Sequence, residues 1–177
     1  MNTMSRGNTA LQYDLEFLKM RVADTDLPRY TKQALLNNAI HTIGCLMLLT
    51  EDDFRRLSSF GNATISNIKE LLRSKGYTLR PADTKLVDHA VSMFRDLRDA
   101  PALVLIEATR AEIDAQTAYN LKRRFGAASI GRVAEGGAEK LFGDILHVHR
   151  NNSEQKSKAA VRSIEVFLAK YDIALAA

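Results

Sequence analysis

Residues 54–69, with the sequence FRRLSSFGNATISNIK, carry the pattern that decides the fold of this chain. Apolar residues with helical spacing begin the stretch, and this pattern ends at residues 58–62, where small and polar residues surround Gly61. A second period follows directly, with the three-and-four spacing of one helix face. Its apolar residues are Ile65, Ile68, Leu71 and Leu72. The pattern predicts a helix, a tight hairpin and a second helix.

The predicted hairpin has the features of a phosphate site. We expect Gly61 to adopt a backbone conformation that a side chain would penalise. The first amides of the following helix belong to Asn62, Ala63 and Thr64. Unpaired N–H groups and the positive end of the helix dipole favour an anion at that point. Lys69 and Arg73, one and two turns further on, would add positive charge. Helix-hairpin-helix modules hold a DNA backbone in this way without reading its bases.

The rest of residues 27–79 completes a small helical module around this hairpin. The predicted helices cover 29–38, 45–49, 51–57 and a final stretch from Ile65 to about Lys75. Pro28 suits the start of the first helix. Thr50 and Asp53 have the spacing of a capping box at the start of the third. Gly76 has the position of a helix-terminating glycine.

A separate amphipathic helix is predicted before this module, over Thr9 to Ala23 in the segment 1–26. Its apolar stripe consists of Leu11, Leu15, Leu18 and Val22. Such a stripe must be covered by other apolar surface. We therefore expect this helix to pair two copies of the chain in a homodimer, or to pack across the helix that follows the module.

Residues 80–108 are predicted to be a linker helix and a connection. Asp83 is the expected helix cap, and the apolar face consists of Leu86, Ala90, Met93, Phe94 and Leu97. The run Ala102–Ile106 fits either the start of a helix or a short strand, since five apolar residues cannot distinguish the two. Thr109 and Glu112 have the spacing of another capping box, which predicts a helix after them.

Residues 109–177 are interpreted as a diverged second copy of the module. The aligned segments are 27–35 with 113–121, Ile43-Gly44 with Ile130-Gly131, and the closing helices over 65–79 with those over 161–175. Apolar positions coincide in each pair. The predicted fold is therefore all-α, a tandem of two helix-hairpin-helix bundles of the SAM-like kind, joined by the linker helix.

The first module resembles the C-terminal domain of the bacterial RNA polymerase alpha subunit. The matching residues are Leu35, Ile40 to Gly44, Leu46, Leu49 to Glu51, Leu57, Phe60-Gly61, Thr64-Ile65, Ile68-Lys69, Leu72 and Gly76 to Leu79. The resemblance is clear over 27–79 and weak over 113–177. It implies a compact helical domain that binds the A·T-rich minor groove, contacts transcription activators and catalyses nothing.

The chain departs from that family at its DNA-contacting positions. Tyr30 stands where the family has its minor-groove arginine, Gln33 where it has an asparagine, and Leu36 and Ala63 where it has lysines. The corresponding residues of the second copy are Gln116, Tyr119, Lys122 and Ala159. Other residues would then have to contact nucleic acid. The candidates are Arg29, Lys32, Gly61, Asn62, Thr64, Lys69, Lys122, Arg123, Arg124, Lys156 and Lys158.

Charge is distributed unevenly along the 177 residues, which carry a net charge of +4. Residues 27–79 and 113–177 each carry +3, whereas residues 1–26 and 80–112 each carry −1. Basic blocks attract phosphate backbones, although a solvated surface with a slight basic excess would give the same counts. The single cysteine, Cys45, lies in an apolar run, where a thiol behaves as a small buried hydrophobe. We expect a cytoplasmic protein, because no signal peptide or membrane-length apolar run is present.

No group of residues predicts catalysis or a cofactor. His147 and His149 have no third metal ligand nearby, so we expect surface histidines and no metal. Gly136-Gly137 is interpreted as helix punctuation, since the lysine of a phosphate loop is missing.

Three functions remain open at this point. The first is a non-enzymatic DNA-binding protein, transcription-related or nucleoid-associated. The second is a protein-interaction module that docks on RNA polymerase or a transcription factor and has lost DNA binding. The third is a structural dimer formed through the N-terminal helix.

Overall fold

A computed structural model describes residues 13–148 and 153–176, and this part of the chain is helical without a β-strand. Its helices are α1 (Leu15–Lys19), α2 (Arg29–Asn37), α3 (Ile43–Met47), α4 (Glu51–Arg55), α5 (Asn62–Ser74), α6 (Leu86–Met93), α7 (Leu103–Ala108), α8 (Ala115–Phe125), α9 (Ile130–Glu135), α10 (Gly137–Val148) and α11 (Glu154–Ala169). Two 3₁₀ turns lie at Val22–Asp24 and Leu97–Asp99. The all-α prediction is confirmed.

Local capping explains where α4 begins. The Asp53 amide donates to the Thr50 hydroxyl at 3.0 Å, and the Thr50 amide donates to the Asp53 carboxylate at 2.9 Å. These reciprocal bonds form the predicted capping box.

A glycine explains where α5 ends. Gly76 has a φ of +78°, a left-handed conformation that favours glycine. The Tyr77 amide donates to the Leu72 carbonyl at 2.9 Å, and the Gly76 amide donates to the Arg73 carbonyl at 3.0 Å. This is the Schellman pattern, in which the last carbonyls of a helix are satisfied by the chain that leaves it.

The N-terminal helix is shorter than predicted. Its first residues and Leu11 lie outside the described residues, and α1 starts after Asp14, whose carboxylate accepts hydrogen bonds from the first-turn amides. The chain leaves the helix at Met20, where ψ is 133°. Leu18 and Val22 are fully buried within the chain, and α1 packs against α3. Leu18 and Val22 are therefore covered by the chain's own core, whereas Leu15 is half-buried, and pairing of two copies through this helix stays a prediction.

Two predicted helix caps are wrong. Asp83 does not cap α6, because Lys85 is the cap residue. Asp83 lies instead inside a turn in which the Thr84 amide donates to the Pro81 carbonyl. Thr109 follows the end of α7, and its hydroxyl donates a hydrogen bond to the Ile106 carbonyl of that helix. The cap of α8 is Asp114. The ambiguous run after Pro101 is helical, as part of α7.

The two Ile-Gly pairs that were aligned in the sequence, Ile43-Gly44 and Ile130-Gly131, lie in similar surroundings. Two isolated antiparallel bridges hold Thr42 to Arg21 and Ser129 to Pro101, directly before α3 and α9. An added Cβ at Gly44 would lie 3.1 Å from the Leu18 carbonyl oxygen, and one at Gly131 would lie 3.2 Å from that of Arg98. In each case a helix start approaches the backbone of a preceding segment closely, which explains why a small residue occupies the position.

The buried apolar residues form one continuous core from Phe17 to Ile173. The predicted linker is part of it, since α7 packs against α6, α8 and α11. Phe94 touches the start of α3, where its ring lies 3.0 Å from an added Cβ at Gly44. Residues 80–108 thus contribute apolar side chains to the same core as the segments on either side.

Candidate nucleic-acid interface

The predicted hairpin is the connection between α4 and α5. Phe60 anchors it by packing on the buried Phe54, with ring centroids 5.3 Å apart. Asn38, at the end of α2, donates to the Ser58 carbonyl at 3.2 Å. Ser59 takes the left-handed conformation that reverses the chain, with a φ of +67°. The connection is therefore fixed against α2 as well as against α4.

The predicted role of Gly61 in the hairpin conformation is wrong. Gly61 is extended, with φ −105° and ψ 175°, and an added Cβ would meet nothing within 4 Å. Any residue can adopt that conformation. Glycine has no side chain that could cap the helix, and α5 shares the lack of a capping side chain with α2, α6 and α7.

The N-terminus of α5 has no cap from a side chain. Gly61 is the cap residue, no acidic residue lies in the first turn, and Gly61, Asn62 and Ala63 are exposed. Six other helices of the described chain begin with a capping side chain: Asp14, Thr42, Thr50, Asp114, Ser129 and Ser153. Because the first amides of a helix have no intrahelical acceptor, those of the 13-residue α5 face solvent and attract an anion.

The charged candidates of the first module lie at varied positions. Arg29 is exposed at the start of α2. The Lys32 ammonium donates to the Ala23 carbonyl at 3.0 Å. Lys69 forms an ion pair with Glu51 at 2.8 Å, and that bond holds the pKa of the Glu51 carboxyl below its ordinary value. Thr64 has its side chain in the core, so only its backbone amide is offered to a ligand.

The charged candidates of the second copy are also dispersed. Arg124 binds the buried Asp144 carboxylate through two nitrogens, at 3.1 and 2.5 Å. Lys158 forms an ion pair with Glu154 on the same helix. Arg123 and Lys156 are exposed, and neither forms an ion pair with another described residue. The connection between α10 and α11, where a second hairpin would lie, falls outside the described residues.

Lys122 lies apart from this surface. It is half-buried in a cleft between the first module and α7–α8, and burial together with the charge of Arg110 lowers the pKa of its ammonium group. A half-buried amine in a narrow cleft is poorly placed to touch a duplex.

Three of the family's four DNA-contacting positions, Tyr30, Gln33 and Ala63, are exposed and uncharged, and they are referred to below as the uncharged face. The Tyr30 side chain is 56% exposed, and its hydroxyl accepts a hydrogen bond from Asn67 at 2.6 Å. Gln33 donates to Asn37 at 2.7 Å. Ala63 is exposed beside them on α5, whereas Leu36 is half-buried. Phosphate binding on this face would depend on backbone amides and on Arg29.

The cleft around Lys122 could not be predicted as a whole from the sequence. Its walls come from the loop after α2, from α3, α4, α6, α7 and α8, and from the segment 80–85, so they combine parts of the chain that are far apart in sequence. Arg80 supports the cleft by donating to the Leu48 and Thr84 carbonyls and to Asp53. The one signal in the sequence was Lys122 itself, a lysine followed by two arginines in an amphipathic helix.

No metal-binding group of three or more His, Cys, Asp or Glu residues occurs among the described residues. None of the helices in that part of the chain is long and apolar enough to cross a membrane. Comparison of the whole chain with protein families, with curated proteins and with solved structures found no match.

Proposed function

We propose that this protein binds the phosphate backbone of DNA without enzymatic activity, in transcription or in nucleoid organisation. The observation that carries the proposal is the uncapped, exposed N-terminus of α5. Its amides are held in place by the packing of α5 against α2 and by the Phe60 anchor. Backbone amides at a helix N-terminus bind phosphate without reading bases, which fits a face where the arginine and lysines of the resembling family are absent.

The proposal includes a tandem arrangement. Within the described residues, 27–79 and 113–176 each contain four successive helices, which is compatible with two diverged copies. Each range also has an isolated β-bridge just before its second helix, and a glycine in the first turn of that helix that lies close to the backbone of a preceding segment. Two weak sites on one rigid body gain affinity through effective concentration when both reach the same duplex. Arg123 and Lys156 are the exposed cations that the second copy would contribute.

The second candidate function is a protein-interaction module. It is favoured by the uncharged face of Tyr30, Gln33 and Ala63, because exposed tyrosines are enriched in protein interfaces. A partner would cover this face through shape and hydrogen bonds, with little dependence on salt.

A substitution at Gly61 separates the two candidates. In Gly61→Asp, the new carboxylate accepts hydrogen bonds from the first-turn amides of α5 and occupies the donors that a phosphate would use. Thermal stability should stay the same or rise slightly. Affinity for a mixed-sequence duplex, measured by fluorescence anisotropy, should fall roughly tenfold or more, since each charge-assisted hydrogen bond contributes about 1.5–3 kcal/mol.

Two control variants make this result specific. Gly61→Ala leaves the helix uncapped and the net charge unchanged, so it should bind DNA as the parent does. Ala111→Asp adds the same charge at an exposed position outside the first module, and it should weaken binding much less than Gly61→Asp. If Gly61→Asp and the parent bound DNA equally well, phosphate binding at the N-terminus of α5 would be ruled out and the interaction module would be favoured.

A further inference from the structure

A cavity of about 230 Å³ lies between the first module and α8. Its walls are largely apolar, contributed by Ile40, Cys45, Leu49, Leu57, Leu103 and Phe125. Burial raises the pKa of the Cys45 thiol, so this wall residue is neutral. Tyr119, 40% exposed, stands at the rim. Because a water molecule takes about 30 Å³ in the liquid, the space holds a chain of roughly eight carbon-sized groups.

A second, more polar cavity of about 630 Å³ adjoins the first. The two share Leu49, Asp53, Leu103 and Lys122 in their walls, so they meet at these residues and are described together as one cleft with Lys122 at the junction. One part of the cleft is thus apolar, and the other is lined by charged side chains. Ligand sites commonly combine apolar walls with a few polar groups that converge on one point.

Two cations at this junction, Lys122 and Arg110, form no ion pair with another described residue, although Asp53 and Glu107 line the same cleft and partly offset the effects of burial and Arg110 on the pKa of Lys122. Lys122 has neither a hydrogen bond nor an ion pair to another described residue through its ammonium group. Asp53, the nearest shared carboxylate, is engaged by the Thr50 amide and hydroxyl and by Arg80. Arg110 lines the same cleft and forms no ion pair within the described chain. Burial is the main cause that lowers the pKa of Lys122, and the charge of Arg110 lowers it further. Two cations this close together favour an anion between them.

We propose that this cleft binds a small amphipathic carboxylate, with its apolar chain between Leu49, Leu57 and Leu103 and its carboxylate on Lys122 and Arg110. The site lies apart from the N-terminus of α5 and rests on observations of its own. It would place a metabolite between the two copies of the module, where an occupant contacts both α4 and α8.

Calorimetric titration of the full chain with octanoate tests this proposal, and 1-octanol serves as the neutral probe of the same length. Octanoate should bind at least roughly tenfold more tightly than 1-octanol, because only the acid forms charge-assisted bonds. Lys122→Met should weaken octanoate roughly tenfold and leave 1-octanol unchanged. Lys122→Arg should retain most of the affinity. Lys170→Met, on an exposed lysine outside the cleft, should bind octanoate as the parent does.

A cavity-filling variant checks the apolar end. Leu57→Phe occupies the space and should weaken both probes, while circular dichroism shows the same helix content as the parent. Absence of octanoate binding to the parent would overturn the proposal. Equal binding of acid and alcohol, or unchanged octanoate affinity in Lys122→Met, would overturn it as well.

Discussion

At the scale of single residues, His89 couples the fold to pH. It is buried on α6, with Nε2 lacking a hydrogen-bond partner among the described residues. Burial and the neighbouring Arg80 charge lower its pKa, against the opposing effect of a hydrogen bond to the backbone of Met47. Protonation would place a charge on an enclosed ring beside a guanidinium group. The folded protein therefore keeps His89 neutral.

This arrangement predicts that stability falls as pH falls below about 6.5, the ordinary pKa of histidine. The unfolded chain takes up a proton there, whereas the folded chain does so only at its lower pKa, so stability is complete above that window. His41, whose pKa is lowered by burial and by Arg21, acts in the same direction. Urea denaturation between pH 5.5 and 7.5 should show a slope of up to about 1.4 kcal/mol per pH unit for each proton.

The variant His89→Asn isolates the contribution of this residue, because asparagine does not titrate in this range. Its stability should change less with pH than that of the parent, and His41→Asn provides the matched comparison on a half-buried histidine. If the stability of His89→Asn depended on pH as steeply as that of the parent, His89 would not be the source of this dependence.

Glycines show how far single residues can be interpreted from sequence. Gly76 was correctly predicted to end α5, because a positive φ after a helix is a local property of the chain. Gly61 was given a special backbone conformation that it does not have. The left-handed residue of that hairpin is Ser59, which the sequence did not distinguish.

At the scale of elements, the start of α10 depends on one glycine. Gly137 has a φ of +80°, and an added Cβ would lie 2.7 Å from the Ala176 carbonyl oxygen. The C-terminal segment is held there by a hydrogen bond that the Ala176 amide donates to the Ala134 carbonyl at 2.9 Å. Gly137→Ala should therefore lower the free energy of unfolding by about 1–3 kcal/mol through backbone strain, as measured by urea denaturation.

Gly143, in the same helix, supplies the matched control. It is exposed, its φ is not positive, and an added Cβ would meet nothing within 4 Å. Gly143→Ala should raise stability by about 0.5–1 kcal/mol, since alanine is the better helix former. Similar effects of the two substitutions would show that the C-terminal segment does not pack on Gly137.

Elements with complete local signals were predicted well, and those whose limits depend on packing were not. The bounds of α2 and the capping box of α4 follow from neighbouring residues alone. The N-terminal helix was predicted too long, because its apolar period continues through a break at Met20. That break allows the backbone around residue 21 to pair with Thr42, a contact that no local pattern indicates.

At the scale of the whole molecule, the sequence predicted the helical class but not the shared core. The apolar face predicted for residues 86–97 is buried, yet the sequence could not show that it belongs to one core with the helices on either side of it. The candidate site was only partly predictable for the same reason. The exposed N-terminus of α5 follows from local sequence, whereas the ion pairs of Lys69, Arg124 and Lys158 depend on side chains placed by the fold.

The most direct test of the account is the salt dependence of binding between the full chain and a mixed-sequence DNA duplex. Backbone binding predicts that the logarithm of the association constant falls linearly with the logarithm of salt concentration, by about 0.9 for each phosphate neutralised. Arg29→Ala should reduce this slope by roughly one. Lys69→Ala should change it less, because Lys69 is already paired with Glu51. Weak binding with the same slope in the parent and in Arg29→Ala would contradict the account.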